Sequence, residues 1–183
     1  GIAIPRSDAH AVVLDMALTM SGKGMMMWYE REGKQMPDSW ALTPDGQRTT
    51  DPTAAMQGAL LPIGEYKGYG LSLITDVLSG VMTGSLFGMS VFQDESNHDV
   101  GHVMLAIDPA AFMPREQVDA RLEKLIAEIK TAPPIDAQKP VVLPGEVEFA
   151  RMEQRQHDGV PLSRKTVDEL RDLAARLSVD FPL

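Results

Sequence analysis

The spacing of apolar residues changes along the chain, and this change restricts the fold more than any other feature of the sequence. Up to about residue 110, apolar residues stand in short runs separated by Gly, Pro and polar residues, and from Pro114 onward they recur every three or four positions. The first pattern is typical of strands and the second of amphipathic helices. Because the strands do not alternate regularly with helices, we predict an α+β fold, divided near Asp108-Pro109 into residues 1–110 and 111–183.

Three apolar runs of the first part are predicted to be strands: His10–Met16, Met25–Glu30 and Gly101–Asp108. Residues 36–52 are rich in Pro, Asp and Thr and predict an irregular stretch with a turn at Pro44-Asp45-Gly46. We expect Trp40 to anchor this stretch to the core.

Helices are predicted where the three- and four-residue spacing is clearest. Tyr66–Thr83 carries one apolar stripe formed by Leu71, Ile74, Leu78 and Val81. Pro114–Thr131 is the second predicted helix, since Pro suits a first turn and two prolines follow its end. Ser163 is predicted to cap a last helix.

Composition excludes several kinds of site. The chain has no cysteine, which excludes disulfides, thiolate zinc sites and a Cys nucleophile. Its net charge of −9 makes a nucleic acid or an anionic membrane surface an unexpected partner. We predict no metal site, because His98 and His102, although four residues apart, straddle Asp99 and Gly101, which argue against a helix there. With no apolar span and no signal-peptide pattern visible, we expect a cytoplasmic protein.

The stretch Pro62–Gly70 has the ingredients of a phosphate-binding loop at a helix start. Its glycines allow close backbone approach, the helix start presents N–H groups, and Lys67 adds a positive charge. The alternative is a glycine turn that only lets the helix pack closely. Neither the Rossmann fingerprint nor a Walker A motif is present, and no Gly-x-Ser-x-Gly motif supports a serine hydrolase.

The sequence resembles the malate/L-lactate dehydrogenase family of the non-Rossmann type. The matching segments occur in the family's order and cover nearly the whole chain: Ile2-Ala3-Ile4-Pro5, Val13-Leu14-Asp15-Met16-Ala17, Trp40-Ala41-Leu42, Thr49-Thr50-Asp51-Pro52, Leu61-Pro62-Ile63-Gly64, Tyr66-Lys67-Gly68-Tyr69-Gly70, Leu78-Ser79-Gly80, Ala106-Ile107-Asp108-Pro109 and Leu143-Pro144-Gly145-Glu146. The sequence departs from the family's commonest pattern at Glu65, where a second glycine is more frequent.

The resemblance implies an oxidoreductase that uses NAD or NADP to interconvert a 2-oxo and a 2-hydroxy acid. It implies a largely antiparallel sheet as the cofactor-binding domain over residues 1–110, followed by a helical part over 111–183, and a homo-oligomer, typically a dimer. Carried over by position, the cofactor-binding residues are Leu14, Asp15, Met16, Ala17, Leu18, Thr19, Lys67, Gly68, Gly145 and Glu146. Arg151 and Arg155 are candidates for a 2′-phosphate or simply part of a solvated helix face.

The family's Ser-His-Gly motif, which carries the catalytic histidine near the N-terminus, does not occur in this sequence. The chain therefore resembles the C-terminal portion of such an enzyme, and we assign no catalytic residue to it. We expect an N-terminal portion of the same enzyme as a partner. The alternative is a non-catalytic dinucleotide-binding or regulatory module derived from the family.

Overall fold

The computed structural model describes residues 1–91, 93 and 99–181. The chain divides into two compact units, the first formed by Gly1–Asp15 together with Met113–Leu183 and the second by Met16–Phe112. Side-chain and backbone hydrogen bonds connect the first fifteen residues to the C-terminal part of the chain, among them the bond of 3.0 Å from the Ser7 hydroxyl to Asp119.

The first unit contains a two-stranded antiparallel sheet. Strand β1 (Ile2–Ile4) pairs with β2 (Val12–Leu14), with Ala3 opposite Val13. The sheet is held to the rest of the unit by a hydrogen bond of 3.0 Å from the Val13 N–H to the Pro144 carbonyl.

Three helices complete the first unit: α4 (Arg115–Thr131), α5 (Glu146–Asp158) and α6 (Arg164–Leu177). The predicted helix at 114–131 is confirmed, with Pro114 at its cap. The predicted cap of α6 is confirmed as well, since the Ser163 side chain accepts from the Thr166 N–H at 3.2 Å. We did not predict α5, whose sequence is dominated by charged and amide residues.

The second unit follows the order α1 (Lys23–Arg31), β3 (Ala41–Leu42), α2 (Pro52–Gln57), β4 (Ala59–Leu60) and α3 (Tyr66–Asp76). Strands β3 and β4 are antiparallel neighbours. Helix α3 continues into a π-helical turn, Val77–Val81, so the helix predicted over 66–83 is confirmed with a change of winding near its end.

The core of the second unit is built around α1 and the irregular stretch that follows it. Met26, Met36, Ala41 and Ala55 are buried together. Trp40 packs against this cluster, and its ring meets that of Tyr29 edge-on, with centroids 5.4 Å apart. The predicted anchoring role of Trp40 is confirmed. So is the turn at residues 44–46, where the Gly46 N–H donates to the Thr43 carbonyl at 2.9 Å.

The strand predicted over Met25–Glu30 is wrong, because these residues belong to α1. Met26 is fully buried, Tyr29 is partly buried three positions later, and Met25, Met27 and Trp28 are exposed. This is the spacing of one helical face. The run contains no β-branched residue, and methionine is a good helix former, so nothing local opposes the helix.

The strand predicted over Gly101–Asp108 is not formed within the described residues. Only Val100, just before it, makes an isolated parallel bridge with Leu86. The strand predicted over His10–Met16 is confirmed in its central residues alone. In total the described residues combine helices with small antiparallel sheets, which is a mixed α and β fold. Among them we find no helix long and apolar enough to cross a bilayer.

Candidate cofactor-binding site

The residues predicted to bind the cofactor fall into two groups, one in each unit. Met16–Thr19, Lys67 and Gly68 belong to the second unit. Leu14, Asp15, Gly145 and Glu146 belong to the first. Each group is assembled by local contacts of its own unit.

In the second unit, residues 18–20 run antiparallel to residues 61–63. The Leu18 carbonyl accepts from the Ile63 N–H at 3.0 Å, and the Met20 N–H donates to the Leu61 carbonyl at 2.8 Å. Residues 61–63 lead directly into the loop at Gly64 and the start of α3. Leu18 and Thr19 therefore pair with the segment that is joined to Lys67 and Gly68 by the short loop at Gly64 and Glu65.

The loop before α3 adopts two consecutive residues with positive φ. Gly64 has φ of 55° and Glu65 has φ of 55° with ψ of −115°. A side chain beyond Cα rarely occupies this region, since Cβ crowds the neighbouring carbonyl. The departure from the family pattern at Glu65 thus lies where the backbone favours glycine.

The first amides of α3 are already hydrogen bonded within the protein. The N–H groups of Lys67, Gly68 and Tyr69 donate to the carbonyls of Gly64, Ile63 and Glu65 at 3.2, 2.9 and 3.2 Å. Gly68 is buried, and a Cβ at this position would lie 2.3 Å from the Ile63 carbonyl oxygen. For Gly68 the structure therefore favours the alternative role, close packing of the helix on the preceding loop.

Lys67 offers a charge that the protein does not use itself. Its side chain is exposed, and within the described part of the chain no carboxylate lies within 4.0 Å of its Nζ. Tyr66 and Tyr69, in the same turn of the helix, are 74% and 63% exposed. The start of α3 thus presents one exposed cation and two exposed aromatic rings, which suits an anionic ligand with planar groups.

In the first unit, Gly145 is the residue before α5, and it packs against Val13 of β2. Gly145 has φ of 93°, and a Cβ there would lie 3.2 Å from both the backbone N and the Cβ of Val13. A glycine is needed on both counts. Leu14 and Asp15, which follow Val13, are exposed beside this turn.

Glu146 is engaged in holding its own loop. Its Oε2 accepts from the Lys130 Nζ at 2.8 Å and from the Leu143 N–H at 2.8 Å, and Lys130 also donates to the Val141 carbonyl at 2.9 Å. The hydrogen bond from Lys130, followed by the one from the Leu143 backbone, lowers the pKa of Glu146. Its carboxylate therefore fixes the conformation of residues 141–145, where Gly145 lies.

A cleft of the first unit was not predicted from the sequence. It is lined by Arg6, His10, Pro144, Phe149 and Glu153. The His10 ring stacks on Phe149 with centroids 4.2 Å apart, and its Nε2 lies 3.1 Å from a Glu153 oxygen. These contacts join residues more than a hundred positions apart, so no local pattern could indicate them.

Arg6 lines this cleft and is held by a bidentate ion pair. Its guanidinium donates to both oxygens of Glu123 at 2.7 Å. The hydrogen bond from Arg6 lowers the pKa of Glu123, and the one from Arg115 lowers the pKa of Asp119. The charges in this region are thus satisfied within the protein.

The remaining sequence candidates are placed as follows. Arg151 and Arg155 lie exposed on α5 and line a shallow surface cleft with Gly159. His102 is exposed. His98, the other histidine of the pair for which we predicted no metal site, lies outside the described residues. Among the residues described, no three His, Asp or Glu side chains are grouped so that they could hold a metal ion.

Comparison with known proteins identifies what this chain is similar to. Malate dehydrogenase of Pyrococcus horikoshii is 34% identical over 188 residues, covering 98% of this chain and 52% of that protein. The (2R)-3-sulfolactate dehydrogenase (NADP(+)) of Chromohalobacter salexigens is 35% identical over 178 residues, covering 94% and 50%.

The fold agrees with this likeness. The solved structure of malate dehydrogenase from Pyrococcus horikoshii matches with a TM-score of 0.80 at 29% identity, covering 97% of this chain and 50% of that one. The chain spans about half the length of the curated relatives it matches. Residues 1–171 match the family described as malate/L-lactate dehydrogenase.

Proposed function

The chain belongs to the malate/L-lactate dehydrogenase family, and from this premise we propose that it is the C-terminal portion of an NAD- or NADP-dependent oxidoreductase acting on a small 2-oxo or 2-hydroxy acid. When bound, the nicotinamide supplies the hydride that such a reaction transfers. The chain contributes residues that hold the dinucleotide, and an N-terminal portion contributes the proton donor. The complete enzyme is a homo-oligomer.

The observation that carries this proposal is the state of Lys67. It lies exposed at the start of α3 without a carboxylate partner among the described residues, in the more acidic part of a chain of net charge −9. A lysine in this position can bind the diphosphate of a dinucleotide, since its positive charge and the N-terminal end of the helix dipole both attract an anion. The Leu18–Ile63 pairing holds Leu18 and Thr19 near it.

The cofactor-binding residues proposed in the first unit act by forming a surface of fixed shape for the dinucleotide. Gly145 keeps the turn before α5 free of a side chain, and the Lys130–Glu146–Leu143 hydrogen bonds hold that turn in place. We assign Leu14, Asp15 and Gly145 to the cofactor surface and give Glu146 the positioning of this loop in addition to any contact. No residue of this chain is proposed as acid or base, because none of its histidines occurs in a Ser-His-Gly motif.

Replacing Lys67 tests the proposal. We expect Lys67→Ala to weaken binding of NADH or NADPH by roughly 10- to 100-fold, the effect of losing one hydrogen bond to a charged phosphate, with little change in thermal stability. Lys23→Ala is the matched control, because Lys23 is also an exposed lysine at a helix start of the same unit. Fluorescence titration with each nucleotide measures both variants.

Two results would contradict the proposal. Equal affinities for Lys67→Ala and the unmodified protein would remove Lys67 from the site. Absence of dinucleotide binding altogether would argue against the enzyme and against the non-catalytic module alike. Binding without turnover by the complete native preparation, assayed with a panel of 2-oxo acids, would instead favour the module.

A further inference from the structure

The segment from His102 to Ile107 is an apolar strand sequence without a sheet. Val103, Met104, Leu105 and Ile107 are 51%, 95%, 83% and 65% exposed. Within the described structure, no backbone hydrogen bond joins residues 102–107 to another residue. Bulky apolar side chains that stay exposed in this way are unfavourable in water, and the free N–H and carbonyl groups beside them can pair with another strand.

The pattern of the segment indicates a strand that is covered on both faces. Alternate residues of a strand point to opposite sides, which places Val103, Leu105 and Ile107 on one side and Met104 and Ala106 on the other. Both sides are apolar. Strands with this composition are typical of the interior of a sheet that has strands beside it and layers above and below.

The start of the segment is fixed by close packing. A Cβ at Gly101 would lie 1.7 Å from the Ser79 carbonyl oxygen and 2.5 Å from the Thr83 Oγ1. The segment therefore begins in close contact with the C-terminal end of the α3 region. The apolar stripe of that region is exposed too: Leu71, Ile74, Leu78 and Val81 are 54%, 58%, 40% and 51% exposed.

The accessible surface of the whole chain indicates how much is uncovered. It measures 14,300 Å², whereas a folded monomer of the same mass exposes about 8,700 Å². Two separate folded halves would together expose about 10,500 Å². The excess of at least about 3,800 Å² is of the size that obligate interfaces bury.

We infer that residues 102–107, with the exposed stripe of α3, form the surface onto which the N-terminal portion of the enzyme folds, adding at least one β-strand beside residues 102–107. This inference rests on the proposed function in taking that portion as the partner. The occupant is favoured by the half-length coverage of the relatives. The size of the excess accessible surface also favours this occupant, because it is typical of a permanent interface and not of a transient contact.

Thiol labelling tests the inference, because the chain has no cysteine of its own. Leu105→Cys and Met104→Cys each introduce a single thiol in place of a side chain that is 83% or 95% exposed. We expect both to react fast in this chain alone. In the complete enzyme, with its N-terminal portion, labelling should slow by roughly tenfold or more, since reaction then requires local opening.

The matched control is Gln47→Cys, in the exposed polar turn that follows Thr43 in the same unit. It should react fast in both preparations. Hydrogen exchange adds a backbone readout: the amides of residues 102–107 should become protected in the complete enzyme. Two independent cysteine variants keep the test valid if one of them hinders assembly.

Three outcomes overturn the inference. Equal labelling of the two thiols in both preparations means that residues 102–107 stay uncovered. Protection in the isolated chain that depends on its concentration, with a dimer in sedimentation, identifies a second copy as the occupant. A native preparation containing this chain alone excludes the N-terminal portion. None of these readouts involves a dinucleotide, so a failure of cofactor binding would be recognised separately.

Discussion

At the scale of single residues, the backbone at Glu65 is the most informative feature of the candidate site. The resemblance marks this position as unusual for its family, and the structure places it at a φ of 55°. Sequence patterns can identify the unexpected residue type, but they cannot supply the dihedral angle that makes it costly. The same holds for Gly68: the sequence leaves two roles open, and only the fold shows that a Cβ there would lie 2.3 Å from the Ile63 carbonyl oxygen.

We expect Glu65→Gly to stabilise the protein by about 1 kcal/mol, because glycine adopts this conformation without the steric cost of a Cβ. Urea denaturation at constant temperature measures the change in the free energy of unfolding. Glu65→Ala is the control: it removes the carboxylate and keeps the Cβ, so it should give little of the gain. A gain of the same size in both variants would trace the effect to charge.

Glu146 predicts a dependence of stability on pH. Its pKa is lowered in the folded protein, so its contribution is present above the unfolded value, near 4.5, and is lost as the pH falls through the lower folded value. Glu146→Gln should therefore reduce stability at pH 7 by about 0.5–1 kcal/mol, the range for a partly exposed pair. Part of the acid destabilisation below pH 4.5 should disappear with it.

Denaturation curves from pH 7 down to pH 3 check this prediction. Glu148→Gln, on the same helix, is the comparison, since among the described residues its carboxylate makes no hydrogen bond or ion pair. A parallel pH dependence in all three proteins would mean that the Lys130–Glu146 pair does not contribute to folding.

At the scale of elements, the sequence predicts helices better than strands. The helices at 66–81, 115–131 and 164–177 were predictable because their periodicity extends over several turns. Met25–Glu30 is too short for its period to be distinguished from a strand, and its partners, Met36 and Trp40, are brought to it by tertiary packing. Residues 101–108 carry a strand pattern, but pairing depends on a neighbour that the pattern does not contain.

Two glycines of α3 allow a paired test of helix packing. Gly68→Ala should destabilise the protein by about 2 kcal/mol, since the new Cβ meets the Ile63 backbone. Gly70→Ala should stabilise it by about 0.5–1 kcal/mol, because nothing lies within 4 Å of a Cβ there and alanine favours the helix. Thermal unfolding of both variants gives the sign of each change. Equal effects would show that α3 does not rest on the loop as described.

At the scale of the whole molecule, the chain buries less surface than its mass allows. Its side chains of Met26, Met36 and Ala41 are well buried, yet many large apolar residues stay exposed. The sequence alone could indicate this only through the resemblance and the missing Ser-His-Gly motif. Burial is a property of the folded arrangement, and no local pattern reports how many faces remain without a partner.

The exposed surface predicts an unusual response to denaturant. The slope of unfolding free energy against urea concentration scales with the area exposed on unfolding. With 14,300 Å² already accessible, this chain alone should show about three quarters of the slope expected for a complete protein of its mass. A full-sized slope in an equilibrium urea titration would contradict this. Addition of the N-terminal portion should raise the slope.

The division into units also bears on how such chains can recombine. The first unit is formed by both Gly1–Asp15 and Met113–Leu183. The gene segment that encodes residues 16–112 is therefore an internal cassette, which has one junction with the first unit at each end. Exchange of that cassette between relatives at Asp15–Met16 and Phe112–Met113 leaves the β1–β2 pairing and the ion pair of Arg6 with Glu123 within one parent. Hybrids cut at a single junction would divide the first unit between two parents. Diversification by exchange is therefore expected to favour paired crossovers.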